Sequence, residues 1–294
     1  MRVFVTGATG FIGSALIPEL IDAGHQVLGL TRSDEGTKSL IAAGAEPHRG
    51  ELADLESLRS GAAAVDAVIH LAFIHDFSKF RENCEIDRRA LETLGDTLAG
   101  SDRPLIVTSG LALLAEGRAA TEDDAPPPVS DSYPRSSEEV AAALQERGVR
   151  TMVVRLPQVH DTTKAGLGSY AIQIARQKGV SAYIGEGGNR WAAAHRLDAA
   201  RLYRLALEKG HAGARYHAVA EEGVPARQIA EAIGRGLKVP VVSLKPEEAV
   251  GHFGWLAMFA GLDITGSSAK TRKQLGWEPG GPGLIADLEN MRYS

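Results

Sequence analysis

Residues 6–13 read Thr6-Gly7-Ala8-Thr9-Gly10-Phe11-Ile12-Gly13. Before them stands a short β-branched and aromatic run, Arg2 to Thr6; after them, Gly13 to Ala23 carries apolar residues at helical spacing and ends at Gly24. A strand that turns through glycines into a helix opens a βαβ unit, and that context constrains the fold more than any other segment. Gly7 permits a tight turn with positive φ. Gly10 lacks a side chain where a backbone must approach a pyrophosphate, and Gly13 lets the helix pack closely on the strand. Unpaired N–H groups at the helix start, together with the macrodipole, then favour phosphate. The loop therefore predicts a dinucleotide site.

The segments after the loop keep the rhythm that such a unit requires. Strands are predicted at Gln26–Leu30, Ala45–His48, Ala67–Leu71, Pro104–Thr108 and Val149–Leu156. Helical segments end at Ala43 and run over Leu55–Ala63, Asn83–Leu98 and from Ser136 to Arg147, the last opened by a Ser136-x-x-Glu139 capping box. Alternation of this kind predicts an α/β fold with a parallel sheet covered on both faces. Thr121 to Pro134, with its acids and four prolines, is a loop. Beyond Leu156 the pattern changes to amphipathic helices at 169–178, 197–209 and 225–234, separated by glycine-rich or short β segments. We therefore expect a nucleotide-binding unit at 1–156 and a smaller substrate-facing lobe at 157–294, with some elements returning to the sheet.

Composition narrows the function. Net charge is −5 with acids and bases interspersed, so no basic face invites nucleic acid. The single cysteine, Cys84, excludes an internal disulfide framework and a cysteine-rich metal site. No run approaches the ~18 apolar residues of a membrane span, and the N-terminal apolar stretch is too short for a signal peptide, so a cytoplasmic location is expected. The acid that usually binds a ribose 2′-OH after the second strand is replaced by Thr31-Arg32-Ser33. A guanidinium and a hydroxyl suit a 2′-phosphate, which predicts NADP ahead of NAD.

The glycine loop, with its Gly-x-x-Gly-x-x-Gly spacing, resembles that of the extended or atypical short-chain dehydrogenases/reductases, the NAD-dependent epimerase/dehydratase group. Later segments agree in order: Gly50-Glu51-Leu52-Ala53-Asp54, Val68-Ile69-His70-Leu71-Ala72, Val107-Thr108-Ser109, Arg155-Leu156-Pro157, His195-Arg196-Leu197-Asp198 and Leu275-Gly276-Trp277-Glu278-Pro279. The resemblance covers nearly the whole chain. It implies a Rossmann-type doubly wound sheet with a smaller C-terminal lobe. Cofactor contacts are implied for Thr9, Phe11 and Ile12 in the loop, for Glu51 and Leu52 beside adenine, for Leu71, Ala72 and Phe73 after the fourth strand, and for Thr108 and Pro157. It also implies a homodimer paired through helix 140–147.

In that family a tyrosine moves the proton, a lysine four residues on lowers its pKa, and a serine or threonine polarises the carbonyl. Ser109 fits the last role. Tyr133 lies in the tyrosine's region, but Ser137 stands four residues later, and Pro134 follows, which disfavours a helical conformation at Tyr133. The proton donor is therefore open between Tyr133, His160 after the Pro157 turn, and a water. The chain reads as an NADPH-dependent reductase, or reversible dehydrogenase, of a small and fairly apolar carbonyl or alcohol. The alternatives are a nucleotide-sugar epimerase or dehydratase and a non-catalytic NADP-binding sensor.

Overall fold

The computed structural model describes residues 1–293. Its first half runs β1 (Arg2–Thr6), α1 (Gly13–Asp22), β2 (Gln26–Thr31), α2 (Asp34–Ala42), β3 (Glu46–Arg49), α3 (Leu55–Ala63) and β4 (Ala67–His70). Then come α4 (Phe80–Leu98), β5 (Leu105–Gly110), the long loop, α5 (Ser137–Glu146) and β6 (Thr151–Leu156). The rest comprises β7 (Gln158–His160), α6 (Gly168–Lys178), β8 (Ser181–Ile184), β9 (Arg190–His195), α7 (Arg196–Lys209), β10 (Arg215–His217) and β11 (Glu221–Pro225). It closes with α8 (Ala226–Leu237), β12 (Val241–Leu244), the short helices α9 (Ala249–Phe253) and α10 (Ala257–Ala260), α11 (Ala269–Leu275) and α12 (Leu284–Asn290).

Seven parallel strands form the central sheet in the order β10-β6-β5-β4-β1-β2-β3. Strand β1 explains how both faces are covered. Val3 and Val5 join Leu16, Ile17, Leu202 and Tyr203 in the core beneath α1 and α7. Phe4, pointing the other way, joins Leu58, Leu91 and Leu144 beneath α3, α4 and α5. A strand buried on both sides reads as a continuous apolar run, as β1 does. The strand order reverses at β1, between β2 and β4. That switch point leaves a crevice at the strands' carboxyl ends, where ligands bind in open α/β sheets.

The later residues build a second core. Strands β11-β9-β7 form a mixed three-stranded sheet, and β12 pairs with β8. Trp191, Ile229, Ile233, Phe253, Leu256 and Phe259 fill the space between them and α8–α10. Two late sequence motifs meet at the junction with the first core. The Asp198 carboxylate accepts the amides of Gly280 and Gly281 at 3.1 and 2.8 Å, while the buried Trp277 donates Nε1–H to the Asp198 carbonyl. Among the described residues no helix is long and apolar enough to cross a membrane.

One local expectation fails. The capping box at Ser136 does not form, because Ser136 sits at φ −113° and ψ 10°, outside the extended conformation a cap needs, and makes no side-chain cap bond. Ser137 turns inward instead and donates to Asp87 at 2.7 Å.

Candidate functional site

A cleft of about 1040 Å³ runs along the carboxyl ends of β1, β2, β4, β5 and β6 and continues under α6 and the C-terminal segment. At one end lies the glycine turn. Gly7 has φ +67°, and a Cβ there would stand 2.8 Å from the amide nitrogen of Ala72. A Cβ on Gly13 would lie 2.1 Å from the Gly7 carbonyl oxygen. Gly10 differs: its Cβ would meet only the Gly7 carbonyl group, so its free side is the cleft. The amides of Phe11 and Ile12, which also line the cleft, find no acceptor among the described residues. A backbone cradle with unpaired donors at a helix start fits the pyrophosphate of a dinucleotide.

Next to it Thr31, Arg32, Glu51 and Leu52 line the cleft, opposite Leu71, Ala72 and Phe73. Asp34 pairs with Arg49 at 3.3 Å, and neither Asp34 nor Glu35 reaches the lining. Ser33 is not in the lining. Its hydroxyl caps α2, accepting the Gly36 amide at 3.0 Å.

Toward the other end, Ser109 and Pro157 reach the cleft. Ser109 is 9% exposed, and its hydroxyl makes no hydrogen bond to the protein among the described residues. Thr108, the neighbouring residue, is not in the lining. Alternation along β5 turns its hydroxyl to the opposite face, where it lies 2.7 Å from the Tyr203 hydroxyl and donates to the His70 carbonyl. Tyr133 also lies outside the cleft lining. A turn in which its amide donates to Ser130 Oγ carries it, and its ring packs edge-on to Phe80. Burial raises its pKa. His160 is fully buried, with Nδ1 2.7 Å from Asp287 of α12, and burial holds its pKa down despite that carboxylate. Strand β7 turns it into the second lobe, away from the crevice, so it cannot hand a proton to a substrate there.

The start of α5 faces inward. Ser137 bonds Asp87, Asp87 lies 3.1 Å from His70 Nε2, and His70 Nδ1 lies 2.9 Å from Thr6 Oγ1. Glu138 forms a buried pair with Arg155 at 2.8 Å. Arg135 donates to the Thr108 carbonyl, and its guanidinium lies 4.6 Å from the centre of the Phe73 ring. Phe73 thus separates Arg135 from the cleft.

Some lining residues carry no motif that singles them out in the sequence. Lys164 is set by a turn around Asp161, whose Oδ1 accepts the amides of Thr163 and Lys164. Its ammonium lies 5.7 Å from the centre of the Phe11 ring, and Arg196, bonded to Asp161 at 3.3 Å, lies 5.1 Å from the same centre. The second lobe thus brings two cations over the phosphate loop. His75, Tyr170, Gln173 and Arg176 line the far end. Burial, then the charge of Arg135, lowers the His75 pKa. The spacing Asp161-x-Thr163 suits a turn, but nothing in it indicates what that turn faces.

The NAD dependent epimerase/dehydratase family model matches residues 3–220. An uncharacterised protein of Schizosaccharomyces pombe is 48% identical over all of both chains. The sterol-4-alpha-carboxylate 3-dehydrogenase (decarboxylating) of Dictyostelium discoideum is 29% identical, covering 77% of this chain and 74% of that one. Among solved structures, the UDP-glucose 4-epimerase of Thermus thermophilus in complex with NAD superposes with a TM-score of 0.77 at 21% identity, over 100% of this chain and 99% of that one. With its glycine cradle, its reversed strand order and a family match across most of its length, the chain belongs to the NAD dependent epimerase/dehydratase family of extended short-chain dehydrogenases/reductases.

Proposed function

We propose that the protein is an NADPH-dependent reductase of a small, fairly apolar carbonyl compound, working in reverse as an alcohol dehydrogenase. The observation that carries this reading is Ser109: a hydroxyl without a protein partner, in the same cleft as the phosphate cradle and beside apolar walls. The bound dinucleotide supplies the hydride. The glycine-loop amides hold its pyrophosphate, and Arg32, free of the neighbouring Asp34–Arg49 pair, holds a 2′-phosphate. Ser109 donates to the carbonyl oxygen and stabilises the charge that develops there. Water in the open cleft delivers the proton. Reduction tolerates the missing tyrosine–lysine pair, because no alcohol must be deprotonated at the outset. The dehydrogenase name of the Dictyostelium relative agrees with this chemistry.

The likeness to an epimerase supports a second reading, interconversion of nucleotide sugars. It begins with alcohol oxidation, so the departure from Tyr-x-x-x-Lys weighs against it. Purified protein, NADPH and a panel of ketones and aldehydes decide between them. Loss of nicotinamide absorbance, reduced roughly 10²-fold in kcat by Ser109→Ala, is the expected result. Tight NADPH binding without turnover of any carbonyl or nucleotide sugar would leave a sensor as the better description.

A further inference from the structure

Beyond Ser109 the cleft has two unlike walls. One is aromatic: Phe77 and Phe259 have ring centres 6.4 Å apart, and Tyr170 stands edge-on to Phe77 at 5.8 Å. The other is a stripe of α6. Ser169, Gln173 and Arg176 follow one another at spacings of four and three, which places them on one helical face, and all three line the cleft. Arg292, just after α12, lines it as well.

The charges are one-sided. Arg176 donates to the Tyr293 carbonyl at 3.2 Å, which uses one of its five N–H groups. Neither Arg176 nor Arg292 forms an ion pair among the described residues. Among the described residues the whole cleft lining contains one carboxylate, Glu51, and it lies at the other end, beside the expected adenosine. Lys164 and Arg196 stand over the phosphate loop, so two guanidinium groups remain at the substrate end that pair with no anion among the described residues. A planar fork of this kind matches a carboxylate with two parallel hydrogen bonds.

We propose that the substrate is an apolar oxo acid, its hydrocarbon or aryl body against Phe77, Tyr170 and Phe259 and its carboxylate held by Arg176 and Arg292. This rests on the reductase reading above. The carbonyl carbon takes a hydride and its oxygen takes a proton from water, so the oxo acid becomes a hydroxy acid as the reduced dinucleotide is oxidised. A sugar nucleotide also brings an anion, but the hydroxyls of its sugar would meet an aromatic wall that offers them few partners.

Titration calorimetry on protein saturated with NADP+ separates binding from turnover. The probes are benzoylformate, its methyl ester and UDP-glucose. Benzoylformate should bind at least about tenfold more tightly than the ester, as a charge-assisted contact implies. The double substitution Arg176→Gln/Arg292→Gln should remove that advantage. Equal affinities for acid and ester overturn the proposal, as does a preference for the acid that survives in the double variant. Tighter binding of UDP-glucose, lost in the same variant, also overturns it and assigns the arginines to a diphosphate. A parallel assay with NADPH keeps the two readings distinct. Reduction of the ester without preference for the acid sinks the oxo-acid proposal alone, whereas arginine-dependent binding of the acid without reduction sinks the reductase reading and leaves the arginines as a carboxylate site without a substrate role.

Discussion

At the turn from β1 to α1, three glycines leave the backbone with almost no freedom to vary; at the start of α5, the same cleft is bordered by residues that have turned away from it. The first region is fixed by backbone geometry. Positive φ at Gly7 and the contact between Gly13 and the Gly7 carbonyl tolerate no side chain. The second is fixed by side-chain pairing. Ser137, Glu138 and Arg135 are engaged by Asp87, Arg155 and the Thr108 carbonyl, which places Phe73 rather than a proton donor beside the cleft. A phosphate cradle made of backbone must be kept whole. A catalytic dyad made of side chains can be exchanged for a buried network while the cleft survives.

The strongest test of that contrast is Gly13→Ala. Its methyl group would sit 2.1 Å from a carbonyl oxygen, a clash with backbone rather than with a movable side chain. Helix α1 must then shift from β1, at a cost of about 1–3 kcal/mol or more. NADPH binding by calorimetry should be lost even where circular dichroism shows a folded protein. Retention of wild-type affinity would mean the turn is not the cofactor cradle.

At the other region the matching experiment breaks the buried pair. The Glu138 side chain is 4% exposed in the intact pair, and Arg155→Leu leaves it Arg215, at 3.3 Å, as its remaining cation among the described residues. Removing one partner of a buried pair costs about 3–5 kcal/mol, whereas replacing both by apolar residues recovers much of the loss. Urea unfolding of Arg155→Leu, Glu138→Leu and the double variant measures the coupling. Additive losses would mean that the pair does not lock α5 onto β6.

The same contrast explains what could be read from the sequence. The cradle was legible because its requirements are local: a strand, a glycine spacing and a helix in succession. The two-sided sheet was legible from periodicity, as in β1. The orientations of Thr108, His160 and Ser137 were not. Thr108 and Ser109 are adjacent, and only the register of β5 decides which one meets the cleft. His160 lies three residues past Pro157, yet its partner Asp287 is 127 residues away. Lys164 and Arg196 depend on how the second lobe closes over Phe11, which no local pattern encodes.

Lys164→Gln measures how far the second lobe contributes to the cradle. The loss of one cation near the pyrophosphate should weaken NADPH binding about tenfold, the lower end for a hydrogen bond to a charged group. The difference should shrink as salt rises. An unchanged dissociation constant at low salt would confine the cradle to the glycine turn.

The smallest effect is a pH dependence at the rebuilt end. His217 is fully buried; Arg155 Nη1 lies 3.3 Å from its Nε2, and its Nδ1 lies 2.8 Å from the Ser267 carbonyl. A neutral ring satisfies both contacts, donating from Nδ1 and accepting at Nε2. Burial, reinforced by the Arg155 charge and opposed by Glu122 and Glu138, lowers its pKa to about 4. The unfolded chain then binds a proton before the folded one does, so stability falls as pH drops through about 6.5 and levels off below about 4. Between pH 7 and 6 the loss depends almost entirely on the unfolded imidazole and amounts to about 0.7 kcal/mol. His160, lowered by burial as well, adds to the slope in the same direction. His217→Asn keeps a donor for Ser267 and removes the titration. Whatever the stability of this variant at pH 7, its dependence on pH should be shallower in urea unfolding at pH 7, 6 and 5. An unchanged slope would show that the folded chain protonates His217 as readily as the unfolded chain does, making the ring a cation below about pH 6.5. Arg155 would then face a cation on one side and Glu138 on the other, and the inward turn of α5 would need a different anchor.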